Sequence, residues 1–495
     1  MFHNLGRCFD AAAHPDKVAI IDLAEGGREI SYAALDAECD AVARGLRGFA
    51  RGARIGILAL NRREYVTAML GTMRAGLVSV PISIKLAGAT IDHIVADAGL
   101  AAVFHDADRA PMCPAGVRRI GFDDGGYAAL LDPGAFDSVV PEGREVGMML
   151  YTSGSTGKPK GVLLSHHSQL WGLQTAAGLF GDTSRHRYLV AAPLFHMNAT
   201  FSVTAALMGG ASQVLMPAFQ AAEYARAIDR FRVTWLTSVP TMLALVARER
   251  ALVGTLDFGA VERVTMGSAP LTQALVDKVQ AIFPAALINN SYGTTEAGPV
   301  VFGPHPEGRK RPPTSCGYPA PGSEVALREG PSDDEGVLYM RNPSGMEGYN
   351  NLAAKTAEVL QDGWYRSGDI MRRDADGFFH FLGRADDMFV VGGENVWPGE
   401  VEKLLERMEG VHQAAVVPVP DELKHALPFA FVVAAAGANI DEAAVRAFAL
   451  AHGPAFAHPR FVDFVAALPL AATNKPDRGL LTRWAAERAK GRRPL

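Results

Sequence analysis

The stretch Tyr151-Thr-Ser-Gly-Ser-Thr-Gly-Lys-Pro-Lys160, followed by Gly161 and Val162, packs hydroxyls, glycines and cations into one short loop. That combination suits a polyphosphate. Gly154 and Gly157 allow backbone conformations and close approaches that a Cβ would block, while Ser153, Ser155, Thr156 and the lysines at 158 and 160 supply donors to anionic oxygens. The spacing is not that of a Walker loop. That motif needs four residues between its glycines and Ser or Thr after its lysine, whereas here Ser155 and Thr156 alone intervene and Pro159 follows Lys158. A flexible Gly/Ser linker would need neither the ordered lysines nor the apolar runs on both sides.

The elements that position this loop follow from the hydrophobic rhythm. Ile55–Leu60 is expected as a buried strand, 62–74 as a helix and Leu77–Pro81 as the next strand. The same alternation recurs with strands at Ser212–Met216, Val233–Leu236, Val261–Met266 and Ala286–Asn289, and with helices around 221–231 and from Pro240. Runs of this kind imply mostly parallel sheets covered by helices, with ligand loops at strand C-termini. The phosphate loop, Gly267-Ser-Ala-Pro270 and Tyr292-Gly-Thr-Thr295 are expected at such positions. After Pro299 the texture turns to proline, glycine and short apolar pieces, which predicts a small β-rich subdomain. The fold class expected is therefore α/β, with a large N-terminal domain over 1–383, a hinge at 384–387 and a small mobile α+β domain over 388–495.

Composition bounds the function. The chain has 495 residues, 48% of them hydrophobic, enough for at least two cores. A net charge of −5 makes no electrostatic case for nucleic acid or an anionic membrane. The four cysteines, at 8, 39, 113 and 316, show no CxxC or Cys/His clustering, which argues against zinc and for a reducing compartment. The start of the chain lacks the basic and apolar parts of a signal peptide, and no run approaches the roughly 18 apolar residues of a spanning helix, so a cytoplasmic protein is expected. Arg492-Arg-Pro-Leu495 is not a peroxisomal address. A homodimer is compatible with this composition.

The loop resembles the phosphate-binding signature of the adenylate-forming superfamily, which includes acyl-CoA synthetases, peptide-synthetase adenylation domains and beetle luciferases. Further motifs follow in the superfamily's order: Asn290-Ser-Tyr-Gly-Thr-Thr-Glu296, Gly363-Trp-Tyr-Arg-Ser-Gly-Asp369, Gly383-Arg-Ala-Asp-Asp387 leading into Gly392-Gly-Glu-Asn395, and Ala472-Thr-Asn-Lys475 with Arg478. The resemblance spans the chain from about Ser31 to Arg478. Asn474 before the lysine departs from the Gly of most relatives and is similar to chlorobenzoate:CoA ligases, as is Arg384-Ala-Asp-Asp-Met388.

What the resemblance implies is an ATP-dependent ligase with Mg²⁺ accompanying ATP and CoA as co-substrate. Lys475 would bridge the acyl carboxylate and the α-phosphate. Thr295 and Glu296 would serve the nucleotide and Mg²⁺, a metal satisfied by one carboxylate plus phosphate and water oxygens. Thr152 through Lys158 would hold the phosphates. Gly267, Ser268 and Ala269 would meet the adenine edge and Tyr292 its face, Asn290, Ser291, Gly293 and Thr294 would also bind the nucleotide, and Asp369 and Arg384 would contact the ribose. His196, in Pro193-Leu-Phe-His196, would gate the thiol tunnel and orient the carboxylate. Gly392, Gly393, Phe456, His458 and Arg460 would meet CoA, and relatives often carry Arg where His458 stands. Asp386 would be the hinge about which the C-terminal domain turns between half-reactions.

The acid itself is expected to be compact. Trp171, Met197, Asn198, Met266 and Gly298 are the pocket candidates, their bulk suggesting a short site and Asn198 a hydrogen bond to a polar substituent. No acidic residue follows His196 up to Ser202 to pair an amino-acid ammonium, and no carrier domain is expected after Lys475. The expected reaction makes an acyl-CoA from a compact aryl or short branched or hydroxy acid, releasing AMP and pyrophosphate. Two alternatives stand beside it: an adenylating enzyme with another acceptor, and a non-catalytic ligand-binding homologue, which would not need Lys475, Asp369, Glu296 and the hinge together.

Overall fold

The computed structural model describes residues 2–153, 158–421, 423–471 and 476–492, with the side chains of Ser153 and Asn395 outside that description. Its contacts divide the chain into two units, one comprising Met1–Ser268, Lys278–Val325 and Tyr339–Arg366, the other Ala269–Asp277, Ala326–Leu338 and Ser367–Leu495.

The first unit is built on two seven-stranded sheets among the described residues. One runs, in spatial order, Leu287–Ser291, Arg263–Gly267, Trp235–Ser238, Arg187–Val190, Ser212–Leu215, Val18–Asp22 and Arg28–Ser31, parallel throughout except for its last pair. Its inner strands read as continuous apolar runs because both faces are covered, and Leu189, Val214, Leu236 and Val264 have no exposed surface. The other sheet has the order Gly348–Tyr349, Pro159–Ser165, Val146–Ser153, Val78–Pro81, Arg54–Leu58, Leu100–His105 and Arg118–Gly121. Arg54–Leu58, the helix Arg63–Arg74 and Val78–Pro81 form the expected βαβ unit, within one or two residues of the expected ends. The Val233–Leu236 expectation is displaced to Trp235–Ser238, because Val233 and Thr234 form the turn out of the preceding helix, with Val233 N–H donating to Ile228 C=O at 3.0 Å.

One difference bears on the site. The phosphate loop follows the C-terminal end of Val146–Ser153, but the next strand, Pro159–Ser165, returns antiparallel beside it, with Thr152 opposite Lys160 and Ser153 opposite Pro159. Gly348–Tyr349 then adds antiparallel to that returning strand, Tyr349 opposite Val162. The strands on either side of residues 154–157 therefore pair antiparallel, whereas mostly parallel sheets had been expected. Both arms are apolar runs, which periodicity alone cannot assign to parallel or antiparallel pairing.

In the second unit, Trp364–Arg373 and Phe379–Arg384 make an antiparallel pair from Asp369 opposite Arg384 to Arg373 opposite Phe379. Beyond it, a five-stranded sheet is formed by Glu394–Val396, Phe389–Val391, His425–Ala434, Val411–Asp421 and Phe461–Phe464. Its long strands alternate strictly: Ala414, Val416, Ala430 and Val432 pack with Val401, Leu405, Val445 and Ala449 of two helices, whereas Ala415, Val417, Phe429 and Phe431 pack with Leu481 and Ala485 of a third. The two-residue period places apolar side chains on both faces, so each face needs its own helical cover.

Candidate active site

The polyphosphate end of the site is assembled from strand register. Thr152 and Lys160 sit directly opposite one another, and Tyr349, opposite Val162, is the diagonal neighbour of Lys160 on the same face. Lys160 Nζ lies 4.5 Å from the centre of the Tyr349 ring. The Tyr349 hydroxyl donates to Glu296 Oε1 at 3.1 Å, and the Thr152 hydroxyl donates to the same oxygen at 3.4 Å, a weaker contact. Gly154, Ser155, Thr156 and Gly157 lie outside the described residues, as does the side chain of Ser153; Lys158 is exposed.

Glu296 and Thr295 occupy the tight turn from Thr294 to Gly298, which is closed by Thr294 N–H on Gly298 C=O at 3.1 Å and by Ala297 N–H on the Thr294 hydroxyl at 2.8 Å. Gly298 has φ +91°, and a Cβ there would come within 2.3 Å of Ser344 Oγ, so only glycine fits. Burial pushes the Glu296 carboxyl above its ordinary pKa, opposed by the Tyr349 hydrogen bond, the Lys160 charge and Thr152. A carboxylate driven toward neutrality by burial gains strongly from a nearby cation, which fits Mg²⁺ arriving with ATP. Among the described residues no group of three or more His, Cys, Asp or Glu converges as a metal cluster, and a phosphate-borne Mg²⁺ does not require one.

The expected base-binding residues flank the ends of two parallel neighbours, Arg263–Gly267 and Leu287–Ser291, with Met266 opposite Asn290 and Gly267 opposite Ser291. A Cβ at Gly267 would fall 2.2 Å from Ser291 Oγ, so glycine lets the two strand ends close. Asn290 Nδ2 donates to Thr314 C=O at 2.8 Å, and its C=O accepts from Arg311. Asn290 therefore shapes the strand end. Tyr292 stands edge-on to Phe302, ring centres 5.7 Å apart, and is half-buried. Gly293 is exposed, and a Cβ there would fall 2.6 Å from the Pro299 C=O and 2.7 Å from the Gly298 C=O.

Among the residues expected to meet the acid, His196 precedes the helix Met197–Met208, its C=O accepting from Ala199 and Thr200 N–H, and its ring packs edge-on to Phe195 at 4.7 Å. Asn198 Nδ2 donates to Ser268 Oγ at 3.4 Å, joining the segment that carries buried Met197 to the strand end that carries fully buried Met266. Ser268 holds φ +64° at that junction. Trp171, on the helix His166–Phe180, packs against the turn at Gly322.

In the second unit, Asp369 is buried and paired with Arg384 at 2.9 Å, and Arg384 Nε donates to Asp386 at 3.0 Å. Lys475 lies outside the described residues; Leu470 and Pro476 on either side of it form an antiparallel bridge, and Arg478 just beyond is held by Asp387 at 3.2 Å and by Glu402 at 2.9 Å. Gly392 and Gly393, with φ +60° and +93°, are the two central residues of the hairpin whose arms pair Val391 with Glu394. Two successive positive φ values are what that turn demands, so the pair has a local reason independent of pantetheine. Phe456 packs on the face of the sheet that carries Val401, Leu405, Val445 and Ala449.

His458 is buried, with Nδ1 and Ala455 C=O 2.6 Å apart, so that nitrogen carries the proton. Burial lowers its pKa, and the charges of Arg460, Arg446 and Lys424 act in the same direction. Lys424 C=O also accepts from Gly392 N–H at 3.0 Å. The structure thus gathers Gly392, His458 and Arg460 with two cations that local motif reading had not singled out, Arg446 and Lys424. Arg460 Nε is buried without a hydrogen-bond partner among the described residues. Tyr349 was likewise missed; its only sequence signal is a Gly-Tyr step beside a short apolar stretch.

Among the described residues no helix is long and apolar enough to cross a membrane. The family described as AMP-binding enzyme matches residues 9–350, and its C-terminal domain matches residues 400–475. The chain is 32% identical over 474 residues to a feruloyl-CoA synthase of Amycolatopsis sp, covering 92% of this chain and 94% of the relative. It is 30% identical over 471 residues to the fatty acid–acyl-carrier-protein ligase ScoC of Streptomyces coeruleorubidus, covering 90% and 89%. The crystal structure of the anthranilate CoA ligase AuaEII with anthranoyl-AMP superposes with a TM-score of 0.91 at 24% identity, over 99% of this chain and 98% of that one, a likeness of fold. The chain therefore belongs to the AMP-binding enzyme family of the adenylate-forming superfamily, in its acyl-CoA synthetase branch, and is an AMP-forming acyl-CoA synthetase.

Proposed function

We propose that the acid activated by this enzyme is a compact monocarboxylic acid, aryl or short and branched or hydroxylated, and that the residues assembled above divide the work as follows. The acid's carboxylate attacks the α-phosphorus of ATP and pyrophosphate leaves; the CoA thiolate then attacks the acyl carbon and AMP leaves. A free carboxylate is a poor electrophile, so adenylation supplies the leaving group that thioester formation needs. Lys475 offsets the charge that develops between the carboxylate and the α-phosphate, an electrostatic role exerted chiefly in the transition state. Thr152, Lys158 and Lys160 hold phosphate oxygens, Thr295 contacts the nucleotide, and Asp369, backed by Arg384, accepts the ribose hydroxyls. Glu296 would hold Mg²⁺, which when bound neutralises phosphate charge.

A compact acid is supported by the Asn198–Ser268 hydrogen bond, which ties the helix start carrying buried Met197 to the strand end carrying buried Met266. A short chain or ring fits such a neighbourhood, and an amide can bind a hydroxyl or ring heteroatom on it. His196 orients the carboxylate at the helix start. The basic cluster of His458, Arg460, Arg446 and Lys424 suits the phosphates of CoA better than a neutral acceptor. A cytoplasmic location agrees with four buried cysteines that form no disulfide among the described residues.

The test is release of AMP and pyrophosphate from ATP, CoA and a panel of acids, with ADP followed in parallel. AMP and pyrophosphate formed one to one, fastest with acids of about two to eight carbons, supports the reading, since each accommodated methylene contributes only about 0.8 kcal/mol until a wall is met. Stoichiometric ADP would overturn the assigned roles at the α-phosphate, and equal activity with holo carrier protein in place of CoA would favour the carrier-ligase alternative.

A further inference from the structure

Three neighbouring antiparallel strands present one residue each to the same face beside the phosphate loop: Thr152, Lys160 and Tyr349. The carboxylate of Glu296 accepts from the two outer ones, and Lys160 stands on the strand between them. Tyr349 contacts both charges, through different parts of its side chain. Its hydroxyl donates to Glu296 at 3.1 Å, and its ring face receives the Lys160 ammonium at 4.5 Å. A tyrosine does this where neither phenylalanine nor serine can, because a phenol offers an O–H at its tip and a negative quadrupole on its faces.

The backbone beneath it is fixed on both sides. Tyr349 N–H donates to the Thr356 hydroxyl at 2.9 Å, while Glu347 N–H and Asn350 N–H donate to Leu163 and Gly161 C=O at 2.9 and 2.7 Å. On the opposite face Asn350 Nδ2 donates to the Asp97 C=O at 2.8 Å, and Tyr151 donates to the Asp97 carboxylate at 2.6 Å. Tyr349 as a whole is 6% exposed. A side chain so anchored has little freedom left, so the groups that it touches are held in place with it.

We infer that Tyr349 is a positioning residue for the polyphosphate end of the site, its hydroxyl orienting Glu296 toward the metal that accompanies ATP and its ring orienting Lys160 toward the phosphates. The inference rests on the reading of Glu296 as the carboxylate that meets that metal. Two substitutions separate the two parts of the side chain. Tyr349→Phe keeps the ring and removes the hydroxyl; Tyr349→Leu removes both.

ATP binding is measured by titration calorimetry in EDTA and in excess Mg²⁺, alongside kcat and KM for pyrophosphate exchange, thioester formation from supplied acyl-adenylate, and the thermal midpoint. In Tyr349→Phe the metal-free ATP affinity stays near that of the wild type, the gain in affinity on adding Mg²⁺ shrinks by about tenfold, and thioester formation from acyl-adenylate is unchanged. In Tyr349→Leu the metal-free affinity falls as well, by about three- to tenfold. A full Mg²⁺ gain in Tyr349→Phe, or a parallel loss of every readout together with a lowered thermal midpoint, overturns the inference. Glu296→Gln distinguishes the levels: if it loses the Mg²⁺ gain while Tyr349→Phe keeps it, the inference alone falls; if it keeps the gain, the reading of Glu296 falls first.

Discussion

Asp369 and Arg384 face one another across an antiparallel pair of strands, with the guanidinium donating to the carboxylate at 2.9 Å, so two residues expected to contact the ribose separately form one ion pair. Arg384 is thereby tied in two directions. Its Nη1 also donates to Ser367 C=O at 3.0 Å, and its Nε reaches Asp386, the residue proposed as the hinge. Asp369 is fixed from its other side by its own N–H on the Ser367 hydroxyl, which in turn donates to Leu338 C=O at 2.8 Å.

That relationship sets the first prediction. Asp386→Pro fixes φ where rotation is proposed, and it removes the carboxylate that Arg384 holds. Thioester formation should slow on the order of tenfold or more while pyrophosphate exchange stays within about twofold. Rapid-quench measurement of each half-reaction checks it, and two unchanged half-reactions would move the hinge elsewhere.

Lys475→Ala should behave in the opposite sense. Removing a charge used only where negative charge grows at the α-phosphate should cost about a hundredfold or more in adenylation and leave thioester formation from supplied acyl-adenylate largely intact. Arg478, three residues on, is held by Asp387 and Glu402, so the segment after Lys475 has an anchor that the substitution leaves in place. Equal losses in both half-reactions would remove Lys475 from its assigned role.

The parallel sheets were legible because their strands are continuous apolar runs separated by helical periods, and the motif order carried the identity of the loops. What stayed hidden is where partners lie far apart in the chain. Tyr349 and Glu296 are joined by a hydrogen bond across 53 residues of sequence, and no local pattern marks such a pair. Gly392 and Gly393 were legible as glycines needed for their backbone, and the structure adds a local need, a two-residue hairpin turn that requires positive φ at both positions. Asn290 belonged to a nucleotide motif and proved to spend its amide on Thr314, because an Asn in a strand end satisfies backbone as readily as ligand. Lys424 and Arg446 reach His458 only through the packing of the second unit.

A pH dependence of stability follows from His166. Its ring is 2% exposed and its Nδ1 accepts Leu5 N–H at 3.0 Å, so the neutral form is the one that ties down the N-terminal segment. Burial lowers its pKa from 6.5 to about 4, with Glu145 opposing and Arg51 assisting. The unfolded chain binds a proton near 6.5 and the folded chain only near 4. Stability from this group is therefore complete above about pH 7 and falls as pH drops toward about 4, by up to about 3 kcal/mol at about 1.4 kcal/mol per unit. The thermal midpoint of His166→Gln should lie below that of the wild type at pH 7.5, and the gap should narrow by pH 5. A gap that is constant or widens on acidification would show that His166 does not titrate with unfolding.

The acyl pocket gives the last prediction. Met197 and Met266 are buried at the junction made by Asn198 and Ser268, and Trp171 lies on the helix whose next residue, Gly172, packs near Pro299 and Ser344. A hydrophobic pocket rewards each methylene until it meets a wall, after which further methylenes become clashes, so activity should rise and then drop abruptly with chain length. Benzoate-sized and short branched acids should therefore exceed dodecanoate in kcat/KM by about a hundredfold. Trp171→Ala should lift dodecanoate by about tenfold while leaving the shortest acids little changed, because they never reach the wall. Asn198→Ala should weaken hydroxylated acids more than their unsubstituted counterparts, by roughly five- to tenfold, the loss expected for one neutral hydrogen bond. A wild type already fastest on dodecanoate would refute the compact-acid proposal while leaving the adenylation chemistry at Glu296 and Lys475 to be judged on its own tests.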